Sequence, residues 1–161
     1  MRYLEGEEKI LAEEYFSAAA EIAKQATCER SKCGTVIVRE GRIIGSGFNS
    51  PAGNLESQRR CSAFKSDLHI KVTDKTCCVH AEQRAIMDAL RRQPDRLSGA
   101  VLYFTRLNGN GEATESGRPY CTHCSKLALD TGISEFVLWH KEGISAYPTD
   151  EYNLLSYQYQ E

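Results

Sequence analysis

Two short stretches carry side chains that could do chemistry together: His80-Ala81-Glu82 and Pro119-Tyr120-Cys121-Thr122-His123-Cys124. An imidazole and a pair of thiolates suit Zn²⁺, and a catalytic zinc keeps three protein ligands and one open position for water. His80, Cys121 and Cys124 make that count, which leaves the Glu82 carboxylate free as an acid and base. The C-x-x-C spacing lets both thiolates face one metal from the first turn of a helix. The partial positive charge of a helix N-terminus favours thiolate over thiol.

These groups meet only if the local structure positions them. Glu82 follows His80 by two residues, and in a regular helix that spacing sends side chains to nearly opposite faces. Both reach one site if His80 sits at the non-helical cap. Gln83 to Leu90 are strong helix formers, so a helix is expected to open at His80 with Glu82 in its first turn. A second helix is expected over Ser125 to Asp130, stopping at Gly132. A lone C-x-x-C more often marks structural zinc or redox chemistry, and a lone H-A-E is near chance. The pair, in this order and each opening a helix, points to a catalytic zinc.

In these residues the chain resembles the zinc-dependent cytidine and deoxycytidylate deaminases, whose signature is H-x-E…P-C-x-x-C. Tyr120 departs from that pattern by standing between Pro119 and Cys121. Two further stretches are similar to deoxycytidylate deaminases. One is the entry from Cys28 to Val38. The other is Asn49-Ser50-Pro51-Ala52-Gly53, where Ser50 replaces a glycine. The resemblance implies hydrolytic deamination of a cytosine-type base, most simply dCMP to dUMP and ammonia. Glu82 would carry protons to the ring nitrogen and the leaving amine. The backbone N–H of Ala81 would meet the base carbonyl. Asn49 either satisfies its own turn or brackets a sugar hydroxyl, and the resemblance favours the sugar. Some deoxycytidylate deaminases also carry a structural zinc, which by position would take Cys28, Cys61, His69 and Cys78. Buried thiols acting as small hydrophobes are the alternative.

The remaining elements read as an α/β/α sandwich of three layers with a mixed central sheet, one domain over residues 1–161. An amphipathic helix is expected over about 5–25, and a hairpin over 34–38 and 42–48. Buried strands are expected over 100–105 and 135–139. Residues 50–79 form a long insertion with Arg59, Arg60, Lys65, Lys71 and Lys75 in cationic excess. This is either a solvated surface or a seat for one phosphate. Residues 145–161 form an aromatic tail without the Lys and Arg of a nucleic-acid stacking strip, expected to pack or to contact a second subunit.

The net charge of −2 argues against bulk electrostatic grip on nucleic acid. Met1 to Lys9 is acidic and lacks an apolar run, so neither a signal peptide nor a membrane span is expected. Seven cysteines without a secretory signal indicate metal and free thiols, with the cytoplasm as default. A homo-oligomer is expected by analogy with the family. Three functions remain to be separated: a nucleotide deaminase; a deaminase of nucleosides, free bases (cytosine or guanine) or polynucleotides (tRNA or single-stranded DNA); and a structural zinc module. The third has no use for Glu82.

Overall fold

The computed structural model describes residues 1–160. The elements run β1 (Arg2–Tyr3), α1 (Gly6–Ala23), β2 (Cys33–Arg39), β3 (Arg42–Phe48), β4 (Ser50–Pro51), β5 (Cys78–Val79) and α2 (Ala81–Arg92). They continue with β6 (Val101–Leu107), β7 (Ala113–Thr114), α3 (Thr122–Asp130), β8 (Glu135–His140), β9 (Gly143–Pro148) and α4 (Thr149–Tyr157). The main sheet has the order β1-β9-β8-β6-β2-β3, with β7 on β6. Among the described residues, only β6 and β8 pair in parallel, as a strand–helix–strand crossover through α3 demands. The sheet is therefore mixed, as expected.

Each strand divides its side chains between two apolar layers, which is what a period of two dictates. Val36, Val38, Tyr103, Val137, Ile144 and Ala146 pack under Ala12, Tyr15, Phe16 and Ala19 of α1. Ile37, Leu102, Phe104, Phe136, Leu138 and Tyr147 face the other way, onto α2, α3 and α4. The helices thus cover both faces in three layers.

Small residues set how close the helices come. Ala81, Ala85 and Ala89 form one fully buried edge of α2. They lie on Gly45 and Gly47 of β3, where an added Cβ would meet the Ala85 carbonyl oxygen at 2.5 Å and the Ala81 carbonyl oxygen at 2.4 Å. Gly34 does the same for α1, with the Ala19 carbonyl 2.0 Å from the missing Cβ. The position of the α2 N-terminus is therefore tied to β3 by backbone contact rather than by long side chains.

The tail is part of the fold. Residues 143–148 form a strand between β8 and β1, and α4 returns across the sheet with Tyr152 stacked on Phe136 at 4.1 Å. Tyr147 and Tyr152 are buried, whereas Tyr157 and Tyr159 are exposed. The insertion is held at its ends by the pairing of β4 with β5, and between them runs through short 3₁₀ turns. No helix among the described residues is long and apolar enough to cross a membrane.

Candidate metal and active site

His80 is the N-cap of α2, with φ −71° and ψ 154°, and Glu82 falls in the first turn. The extended backbone at the cap resolves the problem of the two-residue spacing. The His80 N–H donates to Gln83 Oε1 at 3.0 Å, which steadies the cap. Cys121 is the N-cap of α3, and its sulphur accepts from the backbone N–H of Cys124 at 3.3 Å. The two helix starts converge. His80 Nδ1 lies 3.2 Å from Cys121 Sγ and 3.3 Å from Cys124 Sγ, and the two sulphurs are 2.7 Å apart.

This donor set fits a tetrahedral zinc: one imidazole nitrogen and two sulphurs, with room for a fourth position. Zinc–ligand lengths imply nitrogen–sulphur separations of roughly 3.5 Å, close to those observed. The sulphurs sit closer than a bound pair would, so a metal must spread them. The Cys121 thiol is held down at about 4, chiefly by the hydrogen bond from Cys124 and then by His80. Burial, with the Cys121 bond, drives Cys124 the other way. One thiolate is thus available to begin coordination.

Glu82 is 5% exposed. Burial raises its carboxyl to about 7, with the nearby Cys121 adding to the rise and His80 opposing it. A carboxyl poised near neutrality can both take and return a proton. It opens onto a cavity of about 260 Å³ that reaches His80, Ala81, Asn49, Phe104, Arg106 and Tyr120. Ala81 is the first residue of α2, where backbone N–H groups lack helical partners. The Asn49 amide is engaged at both ends: Oδ1 accepts from the Cys33 N–H at 2.9 Å, and Nδ2 donates to the Ser31 carbonyl at 2.8 Å. Each end keeps one further hydrogen-bonding position, and Asn49 lines the cavity. Tyr120 turns into the cavity wall, with its outer side against Tyr159 at 5.8 Å.

A second group of thiols borders the same cavity. The sulphurs of Cys61, Cys77 and Cys78 lie within 4.8 Å of one another; Cys28 lines the same cavity but stands outside that close group. His69 is not brought to this group. It is exposed, and its Nδ1 accepts from the Lys71 N–H at 3.2 Å. Cys77 stands where the resemblance had put His69. The segment around His69 turns outward, while pairing of β5 with β4 pulls Cys77 and Cys78 inward. Cys77 carried no separate signal beyond its adjacency to Cys78. The other residue that sequence reasoning missed is Arg106, at the end of β6.

The fold and the paired helix starts define a zinc hydrolase site of the deaminase kind. The chain belongs to the family described as the cytidine and deoxycytidylate deaminase zinc-binding region, which matches residues 9–140. It is 36% identical over 137 residues to the deoxycytidylate deaminase of Mycobacterium phage D29, covering 81% of this chain and 94% of that protein. It is 31% identical to the deoxycytidylate deaminase of Saccharomyces cerevisiae, covering 85% of this chain but only 42% of the yeast protein. Among solved structures, the dCMP deaminase of cyanophage S-TIM5 in complex with dCMP and dUMP aligns over 79% of each chain, with a TM-score of 0.56 and 20% identity. The cytidine deaminase of Burkholderia pseudomallei aligns over 87% of this chain and 94% of its own, with a TM-score of 0.57 and 15% identity. These structures share the fold.

Proposed function

We propose that this protein deaminates dCMP hydrolytically to dUMP and ammonia, with His80, Cys121 and Cys124 holding the zinc. The observation that carries the reading is Glu82: a buried carboxyl near neutrality, two residues after the metal-ligating imidazole and open to a cavity of about 260 Å³. Bound zinc supplies the Lewis acid that makes water a nucleophile at neutral pH. Glu82 would take a proton from that water and give it to the ring nitrogen next to the carbon under attack, then take the remaining hydroxyl proton of the adduct and give it to the departing amine, which leaves as ammonia. The Ala81 N–H holds the base carbonyl, and Asn49 faces the sugar from the end of β3. The deoxycytidylate deaminases named above support the nucleotide as substrate.

The test is product formation by chromatography from dCMP, CMP, deoxycytidine, cytidine, cytosine and guanine with zinc-loaded protein. Turnover of dCMP above deoxycytidine is expected. Turnover of unphosphorylated compounds alone overturns the nucleotide assignment.

A second, structural zinc is part of the same reading, with ligands Cys28, Cys61, Cys77 and Cys78. Four thiols make a closed tetrahedral set, and all are free. The Arg60 N–H at 2.9 Å from Cys77 Sγ, and Arg59 Nη1 at 3.5 Å from Cys61 Sγ, supply the outer donors that thiolates attract. For the homo-oligomer, support comes from exposed apolar side chains around edge strand β3 and α2: Ile43, Met87 and Leu90. Sedimentation equilibrium decides it.

A further inference from the structure

Arg106 occupies the register position opposite Cys33 in the antiparallel pairing of β6 with β2. It follows Phe104 by two residues, so it shares the sheet face that packs against α2 and α3, and it lines the cavity that Glu82 also reaches. Its Nε is buried and has no hydrogen-bond partner among the described residues. None of the ion pairs among those residues includes it. Its neighbour across the sheet, Cys33, is buried, and burial pushes that thiol up although Arg106 draws it down, so the guanidinium has a neutral thiol beside it and no anion.

A guanidinium in this state is costly to keep, because a buried donor without a partner forfeits its hydration. The other cations at the cavity are differently placed. Arg30 donates to the Cys61 carbonyl, Arg60 to the Gln58 carbonyl and Lys75 to the Leu68 carbonyl, which ties each to the backbone of the insertion, and Lys65 lies exposed at the cavity's rim. Arg84 also has a buried, unpartnered Nε, yet its Nη2 donates to the Pro51 carbonyl at 2.9 Å and the group lies over the Phe48 ring. Arg84 is thereby explained as a brace between α2 and β4. Arg106 has the Cys33 thiol beside it but neither a carbonyl nor a carboxylate partner among the described residues.

We propose that Arg106 is a specificity-determining residue whose guanidinium receives the phosphate of the substrate. The inference rests on the nucleotide reading above and adds which residue selects it. A planar fork of donors suits two phosphate oxygens, and a site built to meet an anion rejects the analogue that lacks it. The strand places this fork on the same rigid sheet that positions the base.

The test compares wild type with Arg106→Gln and Arg106→Lys, each checked for zinc content and melting temperature. For Arg106→Gln, the ratio of kcat/KM for dCMP to that for deoxycytidine is expected to fall at least tenfold, mostly through KM for dCMP. Binding of dUMP by calorimetry is expected to weaken by a similar factor, and binding of deoxyuridine by much less. Arg106→Lys retains the charge but not the fork, so its ratio is expected to fall between the two. Should Arg106→Gln fail to fold, the drop in Arg106→Lys carries the test. A ratio within twofold of wild type overturns the assignment, as does an equal loss on both substrates, which would put Arg106 at the base or in the fold. Wild type that turns over deoxycytidine but not dCMP overturns the nucleotide reading itself, a result visible before any variant is made.

Discussion

The Cβ that Gly47 lacks would lie 2.4 Å from the carbonyl oxygen of Ala81, the residue between His80 and Glu82. His80 and Glu82, the proposed metal ligand and acid/base, are thus seated on strand β3 by close backbone-to-backbone approach. Neither neighbour can yield, because both are main chain in regular elements. Gly47→Ala is expected to push the start of α2 outward. Overpacking of this kind costs about 1–3 kcal/mol. A shift of an ångström at the reacting groups is expected to reduce kcat/KM by about 100-fold. Thermal melting and steady-state kinetics on the same preparation separate the two effects. Activity equal to wild type would show that α2 is not held in this way.

Glu82→Gln is nearly isosteric and leaves the ligands in place. It removes the proton carrier, so zinc content and melting temperature are expected to stay near wild type while turnover falls by roughly 10²–10⁴. Metal analysis beside the rate assay checks this. Residual activity within tenfold of wild type would move the proton transfer to another group.

Metal content is the measurement for the thiol group. Two zinc ions per chain are expected in wild type. Cys61→Ser and Cys77→Ser should each bring the count toward one, and His69→Ala should leave it at two. Loss of zinc on His69→Ala, with Cys77→Ser unaffected, would restore the ligand set implied by the family resemblance.

His140 gives a pH dependence far from the metal ligands in sequence. Its Nε2 meets the Tyr147 hydroxyl at 2.8 Å. Burial lowers its pKa, with Arg118 acting in the same direction and Glu142 and Glu115 opposing. The unfolded chain therefore takes up the proton more readily than the folded one. The stability contributed by neutral His140 is present above its unfolded pKa, about 6.5, and is lost as pH falls from there through the folded value. Urea unfolding at pH 7.5, 6.5 and 5.5 should show wild type weakening on acidification. His140→Gln should show a flatter slope, though a lower stability at pH 7.5. Parallel slopes would show that His140 does not contribute to the acid limb.

Much of the site was legible because its signals are local. A cap residue, a helix-forming run and a C-x-x-C at a helix start each depend on neighbours within one turn. The same holds for the strands of alternating or continuous apolar side chains, β2, β3, β6 and β8. The strand β9 was not legible. Gly143-Ile144-Ser145-Ala146-Tyr147-Pro148 mixes weak strand formers with a terminal proline, and it is a strand because β8 and β1 flank it.

What the sequence by itself determined, then, is the chemistry on offer: one imidazole and two thiols suited to zinc, one carboxyl and the helix starts that present them. What only the tertiary structure decided is which distant residues share that cavity. Cys77 joins Cys61 because β4 and β5 pair. Both ends of the Asn49 amide are drawn onto the backbone leading into β2. Arg106 arrives at the cavity that Glu82 lines because the register of β6 on β2 sets it opposite Cys33. Register and close packing are properties of elements brought together from far apart in the chain, and a local pattern cannot contain them.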